Sequence, residues 1–129
     1  MILVDTSVWI ELFRDSTELD LESVVDLEEV VTCLPVIQEV LQGFDDQRAY
    51  NLAREAMYAL PIVESPLNAA TYQLAIDLYR STRRAGFTVR SSVDCLIGAC
   101  ALRSSLTILH HDRDFDALAR ISPLEVRRI

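Results

Sequence analysis

Short apolar runs alternate with longer stretches of helical periodicity, and this constrains the fold more than any other feature. "ILV" at 2–4, "VVTCL" at 30–34, "PIV" at 61–63 and "LTILH" at 106–110 are short, mostly β-branched or aliphatic, and have the character of buried strands. Helical stretches lie between them. The first covers 6–13. Ser16 and Thr17 are placed to cap a second, running to about Val25. A third starts at Pro35, which suits a first helical turn, and ends near Gly43. A fourth spans 45–60, with Leu52, Ala56 and Leu60 on one stripe. A fifth opens at Ser65-Pro66 and stops at Gly86, burying Leu67, Leu74 and Leu78. The loop "FTVRSS" leads to a helix from Val93 to Arg103, "RDFDALAR" forms a short one, and "LEVRRI" supplies an edge strand. Strands interleaved with helices predict an α/β fold: a mainly parallel four- to five-stranded sheet with helices on its faces and right-handed crossovers.

The chain of 129 residues, half of them hydrophobic, fits one domain (1–129) with a proper core. No apolar run approaches the roughly 20 residues of a membrane span, and the first ionisable side chain is Asp5 rather than the basic start of a secretory signal. A cytosolic protein is expected. Cys33, Cys95 and Cys100 form no Cys-x-x-Cys pair and are expected to be buried free thiols, not zinc ligands. The net charge of −8 argues against tight nonspecific binding to nucleic acid. It leaves room for a nucleic-acid enzyme whose acids hold cations. Every one of the 12 cationic side chains is an arginine. With no lysine, and without a D-x-D-x-T pattern, an aspartate-based phosphotransfer domain or a P-loop is a poor match.

In open α/β sheets ligands bind beyond the carboxyl ends of the strands, and carboxylates gather there. Asp5 directly follows the first strand, Glu39 lies one turn into the helix after the second, Asp94 opens the helix before the fourth, and Asp112, Asp114 and Asp116 follow the fourth. Singly, most have a plain structural explanation. Asp5 can be a helix N-cap, Asp94 stands at capping-box spacing from Ser91, and the last three suit the positive end of a helix dipole. Glu39, among Val36, Ile37, Val40 and Leu41, has no such explanation, and an unpartnered carboxylate there is costly to desolvate. Together, the acids would repel and their pKa values would rise. A divalent cation such as Mg²⁺ or Mn²⁺ removes that penalty and can activate a water for phosphoryl chemistry.

"VDTSVWIEL", "PVIQEVLQG", "SSVDCLIGACAL" and "LTILHHDRDFDAL" carry these acids in order across nearly the whole chain. In them the chain resembles the PIN-domain family, specifically the VapC-type toxins of bacterial toxin–antitoxin modules. The resemblance implies a PIN-like three-layer fold and a Mg²⁺- or Mn²⁺-dependent endoribonuclease acting on single-stranded or looped RNA. It also implies a homodimer, neutralised by a VapB-type antitoxin bound over the active site. Asp5, Glu39 and Asp94 are expected to form the inner metal cage. Asp112 would hold a second ion or position the attacking water, with Asp114 as a further ligand. Ser7 and Asp116 are supporting residues, and Arg83, Arg84, Arg90 and Arg113 are candidate contacts to RNA or partner. Trp9, Phe13 and Phe44 are more simply core or interface residues than base-stacking ones. The departure from the family is His110, where many relatives carry a hydroxyl residue. It is expected to be a plain strand-end residue, and His111 to be exposed. The alternative is a degenerate PIN-like binding module, against which the retained acids count.

Overall fold

A computed structural model describes all 129 residues. Five parallel strands, β1 (Ile2–Val4), β2 (Val30–Cys33), β3 (Ile62–Val63), β4 (Thr107–His110) and β5 (Glu125–Arg128), lie in the order β3-β2-β1-β4-β5. Six helices accompany them: α1 (Thr6–Leu12), α2 (Leu34–Gln42), α3 (Gln47–Tyr58), α4 (Ala69–Arg84), α5 (Ser92–Arg103) and α6 (Arg113–Ile121). β1 is central, pairing Ile2 with Val30 on one side and with Thr107 on the other.

Successive strand residues feed two separate apolar clusters, as the pleat requires. Leu3, Val31 and Ile108 join the larger cluster with Val36, Ile97, Phe115 and Leu118. Their neighbours Val4, Val30 and Leu109 join the smaller one with Val8, Leu21 and Val25. The inner strands β1, β2 and β4 are thus buried on both faces, and this explains their near-continuous apolar character. The strand order reverses at β1, since β2 and β3 lie to one side and β4 and β5 to the other. The crevice for a ligand therefore opens at the carboxyl ends of β1 and β4.

Several boundaries differ from the sequence expectation. No helix runs from Ser16 to Val25. A 3₁₀ turn, Leu21–Ser23, stands there and a second, Leu27–Glu29, follows, with Asp20 and Asp26 accepting from the backbone N–H groups of Glu22 and Glu28. Closely spaced Asp, Ser and Thr side chains offer the backbone local partners that compete with a continuous helix. On α3 the buried positions are Ala53 and Met57, whereas Leu52 and Ala56 face solvent. α4 begins after Asn68, whose side-chain oxygen accepts from the Thr71 N–H, and not at Ser65-Pro66, a cis peptide in the preceding turn. Its buried positions are Thr71, Ala75, Leu78 and Thr82, with Leu67 and Leu74 only half-buried.

Candidate active site

The end of β1 delivers Asp5 into the crevice as the N-cap of α1. Its Oδ2 accepts from the Ser7 backbone N–H at 3.0 Å and from the Ser7 hydroxyl at 2.5 Å. The capping explanation accounts for that oxygen alone. Oδ1 is buried and has no partner, an arrangement that costs free energy unless a ligand meets it. Burial is the main reason the Asp5 pKa rises to about 6, against the opposing Ser7 hydrogen bonds and with some help from the Glu39 charge.

Asp94 sits in the first turn of α5 and is buried. Ser91 makes no side-chain capping bond, so no capping box forms between them. Burial, hydrogen bonding to Asp114 and the charges of Asp5, Asp112 and Asp114 together push the Asp94 pKa up to about 9. Without a cation, Asp94 is therefore a neutral acid at neutral pH. Asp112 caps α6 by accepting from the Asp114 N–H at 2.9 Å. Asp114, only 1 % exposed, accepts from the Arg90 backbone N–H at 3.0 Å.

Asp94, Asp112 and Asp114 each place an oxygen within 4.8 Å of the others. Asp5 and Glu39 are not members of this triplet. This grouping differs from the expected inner cage of Asp5, Glu39 and Asp94: Ser7 holds Asp5, and the Thr6 hydroxyl donates to Glu39 Oε1 at 2.9 Å. Asp5 nonetheless lies close enough for its charge to raise the Asp94 pKa, and Glu39 close enough to raise that of Asp5. Asp116 is drawn elsewhere. Its carboxylate pairs with Arg128 and faces His110 Nε2 at 3.5 Å. A Mg²⁺-type ion binds carboxylate oxygens at about 2.1 Å, so two ligands of one ion stand up to about 4.2 Å apart. The triplet fits such an ion after a small contraction, and its carboxylate oxygens are the hard donors such an ion takes.

Ser7 also links strands: its Oγ accepts from the His111 N–H at 3.0 Å, tying the end of β4 to Asp5. His110 does more than end a strand. Fully buried, it accepts the Asp112 N–H on Nδ1 at 3.1 Å, and burial lowers its pKa. Arg90 also grips the acids, with Nη2 to Asp112 Oδ1 at 2.9 Å and Nε to Asp114 Oδ1 at 3.4 Å. Neither role has a local sequence signal, because each depends on loops meeting across the crevice. Arg83 lies over the Tyr79 ring, and Arg84 and Arg113 are exposed. Trp9 donates its indole N–H to the Val4 carbonyl and stacks on Phe13, which meets Phe44 edge-on. The three cysteines are free and buried, and no helix is long and apolar enough to cross a membrane.

Fold and acids together define a class. The PIN domain family model matches residues 2–121. A VapC ribonuclease of Mycobacterium bovis and the ribonuclease VapC11 of Mycobacterium tuberculosis are each 39 % identical over 130 residues, spanning 97 % of this chain and 96 % of theirs. Among solved structures, the DNA-bound VapBC complex of Salmonella typhimurium aligns at TM-score 0.79 and 14 % identity, over 98 % of this chain and 96 % of that one. VapC20 of Mycobacterium tuberculosis aligns at 0.72 and 20 %, over 97 % and 99 %. The chain belongs to the PIN-domain family, on its VapC ribonuclease branch.

Proposed function

We propose that this protein is a Mg²⁺- or Mn²⁺-dependent endoribonuclease, the toxin of a toxin–antitoxin pair, hydrolysing RNA at the crevice between β1 and β4. One observation carries the reading: Asp5, Asp94, Asp112 and Asp114, from separate chain segments, converge at the carboxyl end of one parallel sheet, with a buried oxygen of Asp5 left unpartnered. Asp94, Asp112 and Asp114 would hold the ion, with Asp5 Oδ1 and Glu39 completing the acidic wall. When bound, the ion would polarise a water and stabilise phosphoryl oxygens.

The chain's own groups do the rest. Asp94 would meet the ion as a carboxylate, its proton passing to solvent, since a cation favours the charged form. Asp112 is oriented by the His110 and Asp114 main-chain bonds to accept a hydrogen bond from the attacking water. Ser7 holds Asp5 Oδ2 and leaves the buried Oδ1 without a partner. Arg83, Arg84 and Arg113 are exposed and offer the RNA backbone the positive charge that an acidic chain needs. The partner of the pair is a VapB-type antitoxin. The same reading includes a homodimer, for which the exposed Tyr72 and Ile76, beside an apolar groove between α4 and α5, supply a face.

The test is RNA cleavage by purified protein, with cut ends mapped by sequencing. Asp5→Asn retains an acceptor for the Ser7 N–H but no charge. It is expected to abolish Mg²⁺-dependent cleavage, a loss well beyond the roughly 10- to 100-fold typical of a residue that only orients a ligand, while the circular dichroism spectrum stays that of the wild type. Full activity in folded Asp5→Asn protein removes the assignment.

A further inference from the structure

Arg90 holds two of the carboxylates that an incoming cation would share. Its guanidinium bonds Asp112 Oδ1 and Asp114 Oδ1, while its backbone N–H independently bonds Asp114 Oδ2. These two attachments have different permanence. The main-chain bond fixes the loop before α5 to a carboxylate that is 1 % exposed. The head group is carried on a side chain that is 52 % exposed, so it can leave without disturbing the anchor.

The carboxyl groups of Asp94, Asp112 and Asp114 crowd within 4.8 Å, and even with Asp94 protonated the charges of Asp112 and Asp114 repel one another. In the metal-free protein the Arg90 charge offsets that repulsion. A divalent ion does the same more strongly, and on the same two carboxylates. The two cations therefore compete for the charge of Asp112 and Asp114.

We infer that Arg90 is an exchangeable counter-ion: it neutralises Asp112 and Asp114 in the metal-free site, yields them to the divalent cation, and then offers its guanidinium to the RNA phosphate being cut. This rests on the metal-site reading above. The forked donors of a guanidinium match two phosphate oxygens. The surviving main-chain bond to Asp114 keeps the displaced head group beside the reacting phosphate. Exchange also brings a positive charge forward only when the acids are occupied, which suits a chain whose net charge of −8 otherwise repels RNA.

The experiment measures MnCl₂ binding calorimetrically on the whole chain, for wild type, Arg90→Gln and Arg90→Lys, beside kcat/KM for RNA at saturating Mn²⁺. Arg90→Gln is expected to bind Mn²⁺ about fivefold tighter, the size of losing part-exposed ion pairs. Its cleavage falls about 10- to 100-fold through the lost charged hydrogen bonds to phosphate, and Arg90→Lys recovers part of that loss. A residue that merely props the acids moves both quantities down together. Unchanged or weaker Mn²⁺ binding by Arg90→Gln, with normal binding by wild type, overturns the exchange alone. Absence of Mn²⁺ binding by wild type overturns the metal-site reading and the exchange with it.

Discussion

Asp94 concentrates the electrostatics of the site in one carboxyl group. Its folded pKa of about 9 stands far above the ordinary value of 3.8, mainly because it is buried. A raised carboxyl pKa means that the folded state binds more protons than the unfolded one. Its contribution to stability is complete below the unfolded value and is lost as pH climbs through the folded value. Asp5, at about 6, acts in the same sense over a lower range. His110 works in the opposite direction, because burial lowers its pKa, but that effect is confined to acid pH. Between about pH 7 and 8, therefore, the metal-free protein should lose stability with rising pH by up to about 1.4 kcal/mol per unit, the slope for one proton. Urea unfolding in the presence of chelator checks this: the slope should flatten in Asp94→Asn, and an equal slope in both proteins contradicts the assignment. At this scale the sequence marked out the acids that the fold brings near one another, because each stands at a strand end or in an apolar helix. It said nothing of their grouping. Glu39 stood out among apolar neighbours, yet it is Thr6, one residue beyond Asp5, that satisfies one of its oxygens.

Elements were legible where a single force shaped them. The strands announce themselves because the sheet is covered on both faces, and α2 because proline begins it and apolar residues fill it. The stretch 16–25 misled because hydroxyl and carboxylate side chains signal helix caps and local turns alike, and here the turns prevail. α3 misled through its stripe. Leu52 and Ala56 have the right spacing, but so do Ala53 and Met57, and only packing chooses between two adjacent stripes. Met57 is fully buried and Leu52 is 62 % exposed. Met57→Ala should thus cost about 2–5 kcal/mol, as for other large core truncations, whereas Leu52→Ala should stay within about 0.5 kcal/mol, as surface changes do. Denaturant midpoints of the two variants decide it, and the reverse order would return the helix to the stripe expected from sequence.

For the whole molecule, strand order is what converts scattered acids into a site. With β1 between β2 and β4, the chain that leaves β1 and the chain that leaves β4 emerge side by side, bringing Asp5 next to the Asp112–Asp114 turn; Ser7 then bonds both segments. α5 lays Asp94 against them from the larger core. The alternation of elements predicted a parallel sheet, but the order of strands within it was not in the pattern, since parallel crossovers permit several orders. The gripping of Asp112 and Asp114 by Arg90 lies on the same scale, because it joins two loops that meet only once the sheet is built.

The central claim, that these acids hold a divalent cation, is tested most directly by anomalous diffraction from crystals soaked in MnCl₂. A manganese peak about 2.2 Å from oxygens of Asp94 and of Asp112 or Asp114, with Asp5 Oδ1 turned toward it, is the predicted result. A map with no manganese among these carboxylates, at a concentration that supports RNA cleavage, would contradict the account.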